Sequence, residues 1–186
     1  MTRHRFPVLL LVLLLVGAAA SFYVLETSPP WFERLRYPLN YGSIVRERAD
    51  ARGLDPALVA AVIYQESKFR SGARSSSGAI GLMQLTPSTA KGIALRTGGT
   101  AFHVSDLTDP EINIRYGTWY LHNLFTKYGD EQLVLAAYNA GQGNVDRWRR
   151  AGEGVQFPET RAYVDRVEHL QKIYRDAWHA QLYPAG

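Results

Sequence analysis

The stretch Asp55-Pro-Ala-Leu-Val-Ala-Ala-Val-Ile-Tyr-Gln-Glu66 decides how the rest of the chain is read. Asp before Pro is a helix start. The carboxylate caps free amides of the first turn, and proline's fixed φ and missing N–H suit the first helical position. Ala57 to Ile63 contains no polar residue, so this helix has no solvent face and belongs inside a helical core. Glu66 closes the run on the stripe of Val59, Val62 and Ile63, at helical spacings of seven, four and three. Desolvation there disfavours the charged form and raises the carboxyl pKa towards neutrality, as a general acid requires. The plain alternative is a structural carboxylate that ends a core helix beside Lys68 or Arg70. Helical spacing alone does not separate the two.

Outward from this helix the same punctuation recurs. Thr86-Pro87 and Asp109-Pro110 repeat the cap-plus-proline start. After Asp109, Ile112, Tyr116, Trp119, Tyr120, Leu124 and Tyr128 follow at helical spacings, ending at Gly129. Tyr41 to Arg52 reads as a polar helix stopped by Gly53, and Leu133 to Asn139 as an apolar one closed by Gly141. After Pro158, Tyr163, Val167, Leu170, Tyr174 and Trp178 form one stripe. No alternating run of β-branched residues appears, so strands are confined to the loops around Ser71–Gly81 and Thr97–Val104. The spacing predicts a mostly α domain over residues 41–186.

The beginning of the chain is of another kind. Phe6 to Leu25 carries no charge and follows Arg3, His4 and Arg5. About 20 helical residues span roughly 30 Å, the thickness of a bilayer core. The arginines favour a cytoplasmic N-terminus, which places the rest of the chain outside. A cleaved signal peptide would read Val8–Val16 as its apolar region and Ala18–Ala20 as its small-residue site. Phe22 to Leu25 continues the apolar run past that site and argues for an uncleaved transmembrane helix. Residues 1–25 are therefore an anchor or signal segment, and either exports the domain. Residues 26–40, with Ser28-Pro29-Pro30 and Pro38, read as a short linker stiffened by proline.

Composition narrows the function classes. In 186 residues, 46 % hydrophobic and 20 % charged content describes one globular domain rather than two or a disordered chain. With no cysteine, disulfides, a lipidated N-terminal Cys and thiolate zinc sites are all excluded. Of the net charge of +4, Arg3 and Arg5 hold two, so only +2 remains on the exported part. That is too little to indicate a nucleic-acid partner. The histidines show no H-E-x-x-H spacing and no P-loop or dinucleotide fingerprint is present, so no metal or cofactor is expected. Arg147-Trp148-Arg149-Arg150 reads as a solvated helix face rather than a polymer contact.

Three further segments carry chemistry. Ser71 to Gly81 is rich in small residues and runs through Leu82-Met83-Gln84-Leu85 into Thr86-Pro87. Such a loop lets backbone approach a ligand, and Gln84 offers a donor and an acceptor to sugar hydroxyls or acetamides. Ala136-Ala-Tyr138-Asn139-Ala-Gly141 brings a phenol and an amide to a helix end, and Glu159 opens the last helix. Each alone is ordinary surface loop, helix cap or helix start.

Taken jointly and in order, Gln65-Glu66-Ser67, Gly78-Ala-Ile-Gly-Leu-Met-Gln84, Ala136-Ala-Tyr-Asn-Ala-Gly141 and Glu159-Thr-Arg-Ala-Tyr163 resemble the catalytic domain of the soluble lytic transglycosylase family. The resemblance runs from about Tyr41 to Trp178. It implies a lysozyme-like helical domain with a catalytic cleft, related to goose-type lysozymes, acting on peptidoglycan glycan strands in the cell envelope. Glu66 would protonate the β-1,4 bond between N-acetylmuramic acid and N-acetylglucosamine. It would then act as base on the muramyl C6 hydroxyl, which closes a 1,6-anhydro ring. Ser75 would lie near the site, Met83 and Gln84 would line the cleft, and Glu159 would be a second acid on its wall. Tyr138, with Asn139 beside it, would support the oxocarbenium-like intermediate or the substrate acetamide.

A glycosidase ordinarily needs a second carboxylate as nucleophile or base. If the substrate supplies its own acetamide and hydroxyl, one acid suffices, which fits the absence of Asp and Glu from Ser67 to Ser105. The chain departs from the family pattern at Thr86, where Met is common, and at Gln142, where Pro is frequent. Two other readings stay open at this level. One is simple hydrolysis of the same bond, and the other is a glycan-binding module without catalysis.

Overall fold

The computed structural model describes residues 5–184, apart from the side chains of residues 5–8, 20 and 25. In chain order the helices are α1 (Arg5–Thr27), α2 (Pro30–Arg36), α3 (Gly42–Asp50), α4 (Pro56–Ser67) and α5 (Pro87–Thr97). A 3-10 turn at Val104–Thr108 precedes α6 (Pro110–Tyr128). Then come α7 (Glu131–Ala140), α8 (Gln142–Arg150), α9 (Pro158–Ala177) and the short α10 (His179–Leu182). No strand forms among the described residues. Two isolated bridges, Arg74 to Ile80 and Ile80 to Leu85, are the only pairing in the loop where short strands were allowed.

Each of the three cap-plus-proline starts is realised. Asp55 accepts from the Ala57 amide at 3.0 Å, Thr86 from Thr89 at 3.2 Å and Asp109 from Ile112 at 2.9 Å. Thr86 thus earns its place as the cap of α5. Asp55 does more than cap: Gln171 and Arg175 of α9 and Tyr183 after α10 also bind its carboxylate. Burial pushes the Asp55 pKa up, but these bonds outweigh it and hold the carboxyl below its ordinary value.

Ala57 to Ile63 are at most 1 % exposed, which confirms α4 as a helix without a solvent face. It lies chiefly against α9, and α7 packs on α9 from another side. One apolar cluster joins α3, α4, α6, α7, α8, α9 and α10. A second, smaller one gathers Ile80, Leu85, Ala90, Ile93, Ala94, Leu107 and Tyr116 around α5 and the 3-10 turn.

Three elements differ from the expectations. Residues 30–36, within the expected linker, form α2, and α2 packs against α9. The helix read at Arg147–Arg150 begins already at Gln142, because Gly141, at φ 85°, breaks α7, and its Trp148 is buried rather than solvated. The anchor expected over residues 1–25 falls partly outside the described residues. Among the described residues no helix is long and apolar enough to cross a membrane. The segment forms a helix at Arg5–Thr27, with Leu9 to Val16 all exposed.

Candidate active site

Glu66 is the penultimate residue of α4, where the buried helix reaches the surface. The helix stops there because Lys68 and Phe69 adopt left-handed φ values of 54° and 60°. Phe69 is buried against the ring of Tyr174, and the Lys68 ammonium lies 4.0 Å from the Tyr64 ring centroid, so tertiary contacts compensate the backbone strain. Ion pairing with Lys68 or Arg70 is absent. Arg70 instead donates to the Ser67 carbonyl at 3.1 Å.

The partner of Glu66 is Tyr163, from the second turn of α9, whose hydroxyl donates to Oε1 at 2.6 Å. Burial pushes the Glu66 pKa up to about 7, and the bond from Tyr163 opposes that rise without cancelling it. Burial, and then the nearby Glu66 charge, push the Tyr163 and Tyr138 hydroxyls well above their ordinary range. Both phenols therefore stay protonated across any physiological pH. A half-ionised carboxyl flanked by permanently neutral donors is an acid that can give its proton away and take one back.

The other wall is the turn from Ile80 to Leu85. Its geometry is imposed by Asn113 of α6, which is fully buried. The Asn113 amide donates to the carbonyls of Ile80 at 3.0 Å and Leu107 at 2.8 Å, and its oxygen accepts from the Met83 amide at 2.7 Å. Gly81 has φ 85°, and a Cβ there would come within 2.2 Å of both the Asn113 amide and the Leu107 carbonyl. Only glycine fits.

Met83, expected along the cleft, has its side chain wholly in the core, where it crosses Gly117 of α6. What Met83 offers the site is its carbonyl, which accepts from the Tyr138 hydroxyl at 2.7 Å. Gln84 also looks inward: its amide donates to the carbonyls of Ala73 at 3.2 Å and Gly81 at 2.9 Å, at a left-handed φ of 47°. It is a brace for the loop. Tyr138 is the joint between the walls, since it reaches Met83 on one side and feels the Glu66 charge on the other.

The remaining expected residues are more peripheral. Ser75 is exposed and spends its hydroxyl on the Ala79 amide and on Ser77. Asn139 accepts from the Thr160 hydroxyl at 2.8 Å and so ties the end of α7 to the start of α9. Glu159 is exposed in the first turn of α9 and makes no hydrogen bond to Glu66. Gln142 accepts from the Lys127 ammonium at 3.0 Å. Tyr163 and Asn113 are the residues missed. Tyr163 was legible as a polar ring three and four residues from Thr160 and Val167 on a core stripe; Asn113 gave no signal at all.

A groove of about 430 Å³ opens between α5 and α6, with Arg96, Trp119, Tyr120 and Gln142 among its walls. Glu66 does not line it. Tyr120 connects the two, because its ring packs on that of Tyr138 at 5.5 Å between centroids. Among the described residues no group of three His, Asp or Glu side chains could hold a metal ion.

A helical frame with a desolvated carboxyl, faced by one buried phenol and one half-buried phenol, is that of a lysozyme-like domain. Residues 43–157 match the family model of the transglycosylase SLT domain, and the chain belongs to that family. It is 33 % identical over 152 residues to the soluble lytic murein transglycosylase of Escherichia coli, a match that covers 75 % of this chain and 24 % of the relative. It is 30 % identical over 155 residues to membrane-bound lytic murein transglycosylase F of Alcanivorax borkumensis, covering 72 % of this chain and 31 % of that one. Among solved structures, an inactive Glu-to-Gln variant of lytic transglycosylase Slt from Pseudomonas aeruginosa aligns with a TM-score of 0.73 at 35 % identity, covering 79 % of this chain and 26 % of the other. The 70-kDa soluble lytic transglycosylase in complex with bulgecin A aligns with a TM-score of 0.73 at 31 % identity, over 78 % and 25 % of the two chains. The chain thus spans about a quarter of the length of the curated soluble relatives.

Proposed function

We propose that the chain is a peptidoglycan lytic transglycosylase in which Glu66 is the sole acid and base. The observation that carries this reading is the Glu66 carboxyl itself, desolvated to a pKa of about 7 and bonded to Tyr163. The protonated carboxyl gives its proton to the β-1,4 glycosidic oxygen as the bond to muramyl C1 breaks. The carboxylate left behind takes the proton of the muramyl C6 hydroxyl as that oxygen bonds to C1. No water is consumed, and the acid returns to its starting state. The substrate's acetamide steadies the cation at C1, so no second protein carboxylate is required. The peripheral placement of Glu159 supports that economy, and the inactivity of the Pseudomonas relative after a single Glu-to-Gln exchange supports an essential glutamate acid.

The products decide the matter. Digestion of purified sacculi yields muropeptides lacking one water and without a reducing muramic end. Recovery of only reducing muramic ends would replace this reading with hydrolysis, and no cleavage at all would leave a binding module.

The N-terminal segment we read as a membrane anchor that holds the domain in the cell envelope, outside the cytoplasm. The uncharged run from Phe6 to Leu25, the exposed helix α1 and the membrane-bound names of some relatives support this. The full chain then stays in the membrane pellet after carbonate extraction, and its release into the supernatant defeats the anchor.

A further inference from the structure

We propose that α2 is an interfacial helix that seats Trp31 and Leu35 among phospholipid headgroups and so fixes the height and tilt of the Glu66 cleft above the bilayer. The inference rests on the anchor reading of the N-terminal segment. Only Ser28 and Pro29 separate α1 from α2, so α2 emerges wherever α1 ends. Trp31 and Leu35 are one helical turn apart and share a face. They are 55 % and 77 % exposed, unlike the large apolar side chains of the domain core.

The chemistry of that face is that of a bilayer boundary. An indole has an apolar body and one N–H, and it partitions to the headgroup level. Arg36 is exposed and offers a cation to acidic phosphates, while Arg34 is engaged with α9 and Glu33, the one acid of α2, is half-buried towards the domain. The exposed surface is therefore apolar and cationic.

The other side of α2 and the residues after it are bonded to the catalytic domain. Arg34 Nε donates to the Ala177 carbonyl at 2.6 Å and its guanidinium lies 5.5 Å from the Trp178 ring centroid. Trp178 Nε1 donates to the Tyr37 carbonyl at 2.9 Å and the Tyr174 hydroxyl to the Pro38 carbonyl at 3.0 Å. Tyr64, two residues before Glu66 on α4, donates to the Arg36 carbonyl at 3.3 Å. The helix that carries the acid is thus tied directly to the helix that meets the lipid. A flexible tether would let the cleft sample all depths of the wall; this arrangement holds it at one.

The chain has no cysteine, so single-cysteine labelling is clean. The full chain is labelled with an environment-sensitive fluorophore at V12C, L35C or L95C and reconstituted into vesicles of phosphatidylethanolamine and phosphatidylglycerol. Leu95, on α5, is 86 % exposed and serves as the water control. With a nitroxide on the lipid headgroup, L35C emission shifts blue and is quenched, V12C responds to an acyl-chain nitroxide, and L95C does neither. A V12C that responds while L35C behaves like L95C overturns the interfacial helix and leaves the anchor standing. A V12C that fails to respond overturns both. Because Leu35 is largely exposed, its replacement removes no packing, and unchanged thermal unfolding of the labelled chain verifies that.

Discussion

Glu66 and the turn from Gly81 to Leu85 meet at Tyr138, yet they are held by unlike means. The Glu66 wall is a helix whose apolar side chains fill a core from every direction, so its position follows from hydrophobic packing. The Ile80–Leu85 wall is backbone, shaped by two hydrogen bonds to one amide, Asn113, which a third bond ties to Leu107 of the 3-10 turn. Packing places a carboxyl where desolvation can tune it. Directional bonds place a carbonyl and a phenol where packing alone could not orient them. The difference predicts that damage to the first wall shows in chemistry and damage to the second in stability.

The largest effect is expected from Glu66→Gln. Losing the acid removes a general acid–base contribution of about a hundredfold or more, so muropeptide release from sacculi drops at least that far. The same variant is more stable than the parent at alkaline pH. The sign follows from a folded pKa of about 7 against an ordinary 4.5. The parent's stability is complete below pH 4.5 and declines as pH rises towards 7, by up to roughly 3 kcal/mol. Chemical unfolding at pH 8 shows the gain and unfolding at pH 4 shows none. Equal stability of the two chains at pH 8 would mean that Glu66 is not desolvated.

On the opposite wall, Asn113→Ala strands the Met83 amide and the Leu107 carbonyl, at about 1–3 kcal/mol for each unsatisfied group, and leaves the Ile80 carbonyl to the Leu85 amide alone. Denaturant titration should register a loss of several kcal/mol. A loss comparable to that of an exposed asparagine would show that the turn holds itself. Gly81→Ala comes next. It must move the Leu107 carbonyl and the Asn113 amide and adopt a left-handed φ, which costs about 1–3 kcal/mol.

The smallest and most diagnostic change is Tyr163→Phe. The phenol's bond lowers the Glu66 pKa, so removing it raises that pKa further and moves the alkaline limb of the kcat/KM profile to higher pH. An unmoved limb would dissociate the measured ionisation from Glu66.

Much of the frame was legible in the residues. The starts at Asp55-Pro56, Thr86-Pro87 and Asp109-Pro110 were readable because a helix N-terminus is satisfied by its own neighbours in sequence. The burial of α4 was readable because an uninterrupted apolar run leaves no polar face to expose. α2 was hidden by Pro29-Pro30, which also reads as linker, and the start of α8 by the glycines on either side of Gln142, although its Arg147–Arg150 turn was read as helix. The candidate site was legible in part. Glu66, Tyr138 and the 78–84 loop came forward through ordered motifs, whereas the Met83 side chain, given to the cleft, lies in the core and the Gln84 amide braces its own loop.

By itself, then, the sequence determined a helical domain with one suspect carboxylate at the end of its most buried helix, because those features depend on residues a few positions apart. The tertiary structure decided what the carboxylate touches. Tyr163 lies 97 residues beyond Glu66, and Asn113 lies 30 beyond Met83. A pKa of about 7 and a braced turn are properties of such distant pairs, which no local spacing encodes.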